Sequence, residues 1–88
     1  MSGSIYYIKT NGTTIYDSLE VEYGVGVTSP VEMYLINIVG KVTTLISGSQ
    51  LSGNYKFTVD ISELPTGVYY LVYRSPQYSA IPIKFVKQ

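Results

Sequence analysis

Apolar and polar residues alternate along this chain in short runs, and no longer window shows the helical period of about 3.6 residues. Leu19, Val21 and Tyr23 alternate with Glu20 and Glu22, and Val31, Met33 and Leu35 with Glu32 and Tyr34. Tyr55, Phe57 and Val59 alternate with Lys56 and Thr58, and Ile81, Ile83 and Phe85 with Pro82 and Lys84. Successive side chains of a strand point to opposite faces, so each run has one core face and one solvent face. The pattern predicts an all-β chain of about seven or eight short strands, folded as an antiparallel β-sandwich.

Turn signals divide the runs. Asp60–Leu71, Asp-Ile-Ser-Glu-Leu-Pro-Thr-Gly-Val-Tyr-Tyr-Leu, places a compact turn between two strands. Pro65 fixes its own φ and Gly67 accepts positive φ, so the pair reverses the chain before the buried strand Val68–Tyr73. Leu64 is expected to point back from this turn into the core. Val39-Gly40 predicts a tight hairpin between Val31–Ile38 and Lys41–Ile46. Asn11-Gly12 predicts another, pairing Ile5–Ile8 with Thr13–Tyr16. Gly24–Pro30 reads as a flexible connector between sheets, Ser47–Asn54 as a polar loop anchored by Leu51, and Ser75–Ser79 as a further loop. Pro82 marks an edge position in the last strand, because it has no N–H to donate.

Composition narrows the function. The chain has 88 residues, the length of one domain, and Met1–Ser4 reads as a leader or tag before a single β-sandwich over residues 5–88. It contains no Cys and no His, which removes the thiolate nucleophile, the imidazole base and the commonest zinc ligands. Glu20 and Glu22 lie on the solvent face of an alternating strand, with no motif to give them the unequal environments of a catalytic pair. Gly24-Val25-Gly26 precedes no helix and lacks the spacing of a phosphate loop. No catalytic residue, cofactor site or metal site is assigned. Six basic and six acidic residues balance without a basic stripe, so nucleic acid is not an expected partner. No apolar run reaches the ~20 residues of a membrane-spanning helix. Ten Tyr, no Trp and only 14% charged residues suit an extracellular module or an interface.

Four stretches carry a family resemblance: Val31–Lys41, a Gly-containing polar loop, Asp60–Tyr70, and Ile83–Lys87. Together they resemble the C-terminal sorting domain of type IX secretion cargo from Bacteroidetes-type bacteria, over about residues 19–88. That family shows an apolar strand ending in Asn or Asp, a Gly-Lys turn, an Asp-x-Ser-x-Leu-x-x-Gly-x-Tyr segment and a basic-apolar final strand. The Ig-like domain of the flagellar hook-capping protein is similar in its Gly turn and Gly-Val-Tyr pattern. The Tyr-Pro-Asn-Pro motif that often opens the sorting family is absent, and Ile5–Tyr16 occupies the place where the family's sorting domains follow a cargo domain.

The resemblance implies an Ig-like sandwich and assigns sorting or recognition to Gly40, Lys41, Asp60, Leu64, Gly67, Tyr69, Lys84, Phe85, Val86 and Lys87. It implies a non-catalytic extracellular module for secretion sorting and cell-surface attachment, with a secretion translocon as partner. The edge of the final hairpin would be read, and Lys84 and Lys87 serve either as recognition groups or to blunt an exposed edge. The alternative is a structural subunit of an extracellular filament, a homo-oligomer joined to neighbouring subunits by strand exchange or addition. Carbohydrate binding by Tyr34, Tyr70 or Tyr78 is a further reading, with Trp, the better platform, absent.

Overall fold

The computed structural model describes residues 5–88; the leader expected at Met1–Ser4 lies outside the described residues. Nine strands follow in order: β1 (Tyr7–Thr10), β2 (Thr14–Ile15), β3 (Ser18–Val25), β4 (Ser29–Asn37), β5 (Val42–Gln50), β6 (Gly53–Asp60), β7 (Gly67–Ser75), β8 (Tyr78–Ser79) and β9 (Ile83–Lys87). The expected all-β sandwich is what forms, with β8 added inside the stretch read as a loop. The smaller sheet runs β1-β3-β6, and the larger runs β2-β9-β7-β4-β5 with β8 against β7. Neighbours pair antiparallel except β2 with β9, which is parallel.

The alternation read from sequence sets the core. Leu19, Val21, Tyr23 and Val25 of β3 are buried, as are Val31, Met33 and Leu35 of β4, Tyr69, Leu71 and Tyr73 of β7, and Phe85 of β9. Each such side chain contributes on the order of 1.5–3 kcal/mol relative to exposure. A buried Tyr needs a partner for its hydroxyl, and Tyr73 donates across the core to the Gly24 carbonyl at 2.7 Å. That bond ties β7 of one sheet to β3 of the other. Around it the rings of Tyr23 and Tyr73 meet edge-on at 5.4 Å, Tyr55 stacks on Tyr23 at 5.1 Å, and Tyr6 stacks on Tyr78 at 5.2 Å. The tyrosine content is therefore largely structural at this end, and Tyr78 is packed against Tyr6 and Tyr73 rather than presented as a sugar platform.

Gly40 closes the β4–β5 hairpin with φ of 89°. Asn37 completes that turn, its side-chain oxygen accepting from the Val39 and Lys41 amides at 3.1 and 2.9 Å.

Several expectations fail for a common reason, the pull of distant partners on local signals. Asn11-Gly12 does not make a hairpin: β1 pairs antiparallel with β3, and β2 crosses to pair with β9. Ser47–Gln50 is not loop but the end of β5, held by the ladder to Ser29–Glu32. Leu51 is no anchor, being 71% exposed, and Ile81 is 87% exposed just before β9 begins. In the Asp60–Leu71 turn Leu64 does pack against the core, half-buried, while Ile61, not singled out by the sequence pattern, lies deeper and is fully buried. Gly24 and Val25 belong to β3 and Ser29–Pro30 to β4, which leaves Gly26–Thr28 to cross between sheets.

Gly24 and Gly26 are packing residues. A Cβ at Gly24 would clash with the Ile5 carbonyl oxygen, and one at Gly26 would lie 2.6 Å from the Tyr6 ring. Their bareness lets β1 and the residues before it lie close to β3. The Tyr6 hydroxyl then shares a 2.9 Å hydrogen bond with Ser29 Oγ, which holds its pKa below the usual phenol value. Ile5–Thr10 is thereby fastened to the body at named points.

Candidate functional site

The C-terminal strand enters the larger sheet beside β7 in the register Gly67↔Lys87, Val68↔Val86, Tyr69↔Phe85, Tyr70↔Lys84 and Leu71↔Ile83. Phe85 and Lys87 face inward and are buried, while Lys84 is exposed and Val86 half-buried on the outer side. The Lys87 stem lies over the core, and its ammonium reaches the Gln88 carbonyl oxygen at 2.9 Å, the snorkelling geometry of a long cationic side chain. Tyr69 stacks on Phe85 at 5.7 Å and donates its hydroxyl to the Pro65 carbonyl at 2.7 Å. The turn before β7 is thus fixed to the strand that pairs with β9.

Among the described residues, the backbone of β9 is covered on its far side over its last residues only. The Val86 amide donates to the Thr13 carbonyl and the Gln88 amide to the Ile15 carbonyl, both at 2.8 Å. Antiparallel pairing to β7 leaves alternate residues of β9 with outward backbone groups. Lys84 shares the parity of Val86, so its N–H and C=O point to the side that β2 covers further along. The pairing to β2 spans Thr14↔Val86 and Ile15↔Lys87 and stops short of Lys84. Pro82 just upstream brings no donor.

The other sheet edges carry recognisable protection. Lys9 lies on β1 and Lys56 on β6, and the β4–β5 register shifts at Met33/Tyr34, a bulge that breaks the line of the β5 edge. Outer faces differ as well. On the smaller sheet Lys9, Glu22 and Lys56 are direct cross-strand neighbours, with Lys9 Nζ 3.7 Å from Glu22. Glu22 also accepts from the Tyr7 hydroxyl at 3.1 Å; burial and then that bond raise the Tyr7 pKa. On the larger sheet Tyr34, Ile36, Val68, Tyr70, Val72 and Val86 are half-buried on the outer side, and Arg74 pairs with Glu32 at 2.8 Å.

The residues assigned by resemblance fall in two groups. Tyr69, Gly67, Lys84, Phe85, Val86 and Lys87 come together along the β7–β9 pair. Leu64 sits at the entry to β7, half-buried against the core. Asn37, Lys41, Leu64, Pro65 and Tyr69 line one small hollow, which brings Lys41 to the same end of the sandwich. Gly40 forms the tip of the β4–β5 hairpin. Asp60 ends β6, where its carboxylate accepts from the Ser62 amide at 2.9 Å; hydrogen bonding to Ser62 holds its pKa below the usual carboxylate value. These contacts make Asp60 a turn-fixing residue.

Sequence reasoning missed β2 as a partner of β9, along with Ile15, which is buried to 3% beneath the end of that strand. An isolated apolar residue between Thr14 and Tyr16 gives no periodic signal. Among the described residues no group of three or more acidic, His or Cys side chains is placed to hold a metal ion, and no helix is long and apolar enough to cross a membrane.

Comparison with known proteins gives one family. The family described as "Secretion system C-terminal sorting domain" matches residues 14–88, from the first residue of β2 through β9. β1 lies outside the match. No curated protein matches the chain.

Proposed function

Because this chain belongs to the family of secretion system C-terminal sorting domains, we propose that it directs a polypeptide out of the cell by presenting its C-terminal strand to the secretion machinery. The observation that carries the reading is the state of β9. Its inner side is locked by Phe85, while its outer backbone edge is left open around Lys84. An open edge offers main-chain donors and acceptors to an extended partner, and outward side chains give selectivity. Lys84 and Val86 are the outward groups on this strand, and Tyr70 is the direct neighbour of Lys84. The exported product is placed at the cell surface or in the extracellular space, and attachment there is part of the same proposal.

The test is export of a reporter fused ahead of the chain, with and without Phe85–Gln88. Loss of export on truncation is expected. Undiminished export removes the C-terminal strand from the mechanism.

A second reading has its own observation. β1 lies outside the family match and pairs with β3 alone, with Tyr6 and Tyr7 seated over Gly26 and Gly24. A strand held this way can be supplied by a neighbouring copy, which joins subunits head to tail into a filament. Size-exclusion chromatography at rising concentration, followed by electron microscopy, decides it. A strict monomer at high concentration contradicts strand exchange.

A further inference from the structure

Resting on the reading of β9 as the recognised strand, we propose that β2 is a removable cover on its edge, and that an extended segment of the secretion machinery docks there in β2's place, parallel to β9.

The cover is slight. β2 has two residues, and Thr13, Thr14 and Tyr16 around Ile15 are exposed. It is held by the burial of Ile15, by the bonds from the Val86 and Gln88 amides, and by the short parallel ladder Thr14↔Val86 and Ile15↔Lys87. Parallel pairs are slightly less stable per residue than antiparallel ones, and two residues gain little from cooperation along a ladder.

Both ends of the strap are fastened elsewhere. Asn11 is tied to β3, its side chain donating to the Ser18 carbonyl at 3.3 Å and accepting from the Glu20 amide at 3.1 Å. Asp17 is tied to the turn after β6, its carbonyl accepting from the Ile61 amide at 2.9 Å. Residues 12–16 therefore span from one anchor on the smaller sheet to another, with only their middle laid on the larger sheet. Lifting that middle breaks no bond within β3–β6 or β7–β9.

What the lift exposes is a defined surface. The outward amides of Val86 and Gln88 join the open backbone of Lys84 in one continuous edge, and the socket left by Ile15 opens beside it. The fitting partner is an extended segment running parallel to β9, with an apolar side chain for the socket and carbonyls for the two amides. Lys84 at the upstream end favours an acidic or uncharged neighbour on that segment.

The experiment fixes the cover in place. Thr14 and Val86 are direct neighbours in the parallel register, so Thr14→Cys with Val86→Cys places two thiols across the strap in a reporter fusion. Export is scored on the oxidised fraction, with each single Cys variant beside it. The proposal expects the locked, folded fusion to stay inside and the Thr14→Cys variant to leave the cell as the parent does. Reduction of the locked fusion should restore export to the level set by the Val86→Cys variant, since Val86 is itself an outward group of the recognised strand. Export of the locked fusion at the parent level overturns it. Ile15→Ser approaches the same point from the other side. Exchange of the Val86 and Gln88 amides should rise towards the unprotected rate while the rest of the sandwich keeps its protection and export persists. Loss of export from that folded variant shows β2 to be a required part of the signal and also overturns the proposal. Truncation of Phe85–Gln88 in the same assay separates the two levels. If the truncated fusion is exported, the reading of β9 itself fails. If truncation blocks export but the lock does not, only the cover fails.

Discussion

The two sheets share one core but differ at their boundaries. The smaller sheet is finished: its outer face carries the charged neighbours Lys9, Glu22 and Lys56, and its two edge strands each bear a lysine. The larger sheet has a tyrosine- and valine-rich outer face, and one of its edges, along β9, is closed by only two residues of β2. A solvated face with protected edges resists association, whereas a largely apolar and aromatic face beside an open edge invites it. On the proposed reading, the smaller sheet holds the fold and the larger one meets the partner.

The largest expected effects ignore this division, because the core belongs to both sheets. Phe85→Ala in β9 should cost about 3–5 kcal/mol and Leu19→Ala in β3 about 2–5 kcal/mol, read from denaturant midpoints. A loss confined to one sheet, seen as amide exchange in β7–β9 with β3–β6 intact, breaks the account of a common core. Next comes Gly24→Val. Its Cβ meets the Ile5 carbonyl, and overpacking of this kind costs about 1–3 kcal/mol. Its signature should be loss of amide protection in β1 while β9 stays protected. Tyr73→Phe removes the buried hydrogen bond from β7 to β3, one of those between the sheets, and should cost about 1 kcal/mol. A neutral result there means that this bond adds nothing to the apolar packing and the Tyr23–Gln50 bond that also join the sheets.

Smaller effects sharpen the contrast between faces. Glu22→Gln disturbs a surface pair between an exposed Lys9 and a half-buried Glu22, and should change stability by less than about 0.5 kcal/mol. Export should be unaffected. On the larger sheet Tyr70→Lys should leave the fold intact yet lower export, since Tyr70 neighbours Lys84 on the outer side. Equal behaviour of the two variants in the export assay erases the distinction. The smallest effect is in acid. Asp60 has a lowered pKa through its bonds to Ser62. Its contribution is therefore complete above the ordinary carboxylate range and is lost as pH falls through the lowered value. Asp60→Asn should flatten that acid limb with little change at neutral pH, as read by thermal melts across pH.

Much of this fold was legible because burial imposes alternation. The core faces of β3, β4 and β7 were readable from their apolar residues, and the Gly40 turn from its glycine between two strand-like runs. What escaped was decided at a distance. Asn11-Gly12 has the chemistry of a hairpin turn, but Gly24 and Gly26 give β1 a closer seat on β3, and β9 takes the following residues. Ser47–Gln50 has no apolar face to announce a strand, yet the start of β4 requires a ladder partner there. Ile61 and Leu64 are equally apolar; the backbone of the turn, with Leu64 N–H bonded to the Ile61 carbonyl at 3.0 Å, places Ile61 deeper. For the candidate site, the residues of β9 were visible as a terminal alternating strand. Its cover was not, because a two-residue parallel pair leaves no mark in the pattern.

The central claim is that the outer backbone edge of β9 is what the secretion machinery reads. Lys84→Pro tests it most directly, since it removes an outward amide while leaving the ladder to β7 and the buried Phe85 untouched. With Lys84→Ala beside it to account for the lost charge, the reporter fusion carrying the proline should fold as the parent does and fail to leave the cell. Export of the proline variant at the parent level contradicts the claim.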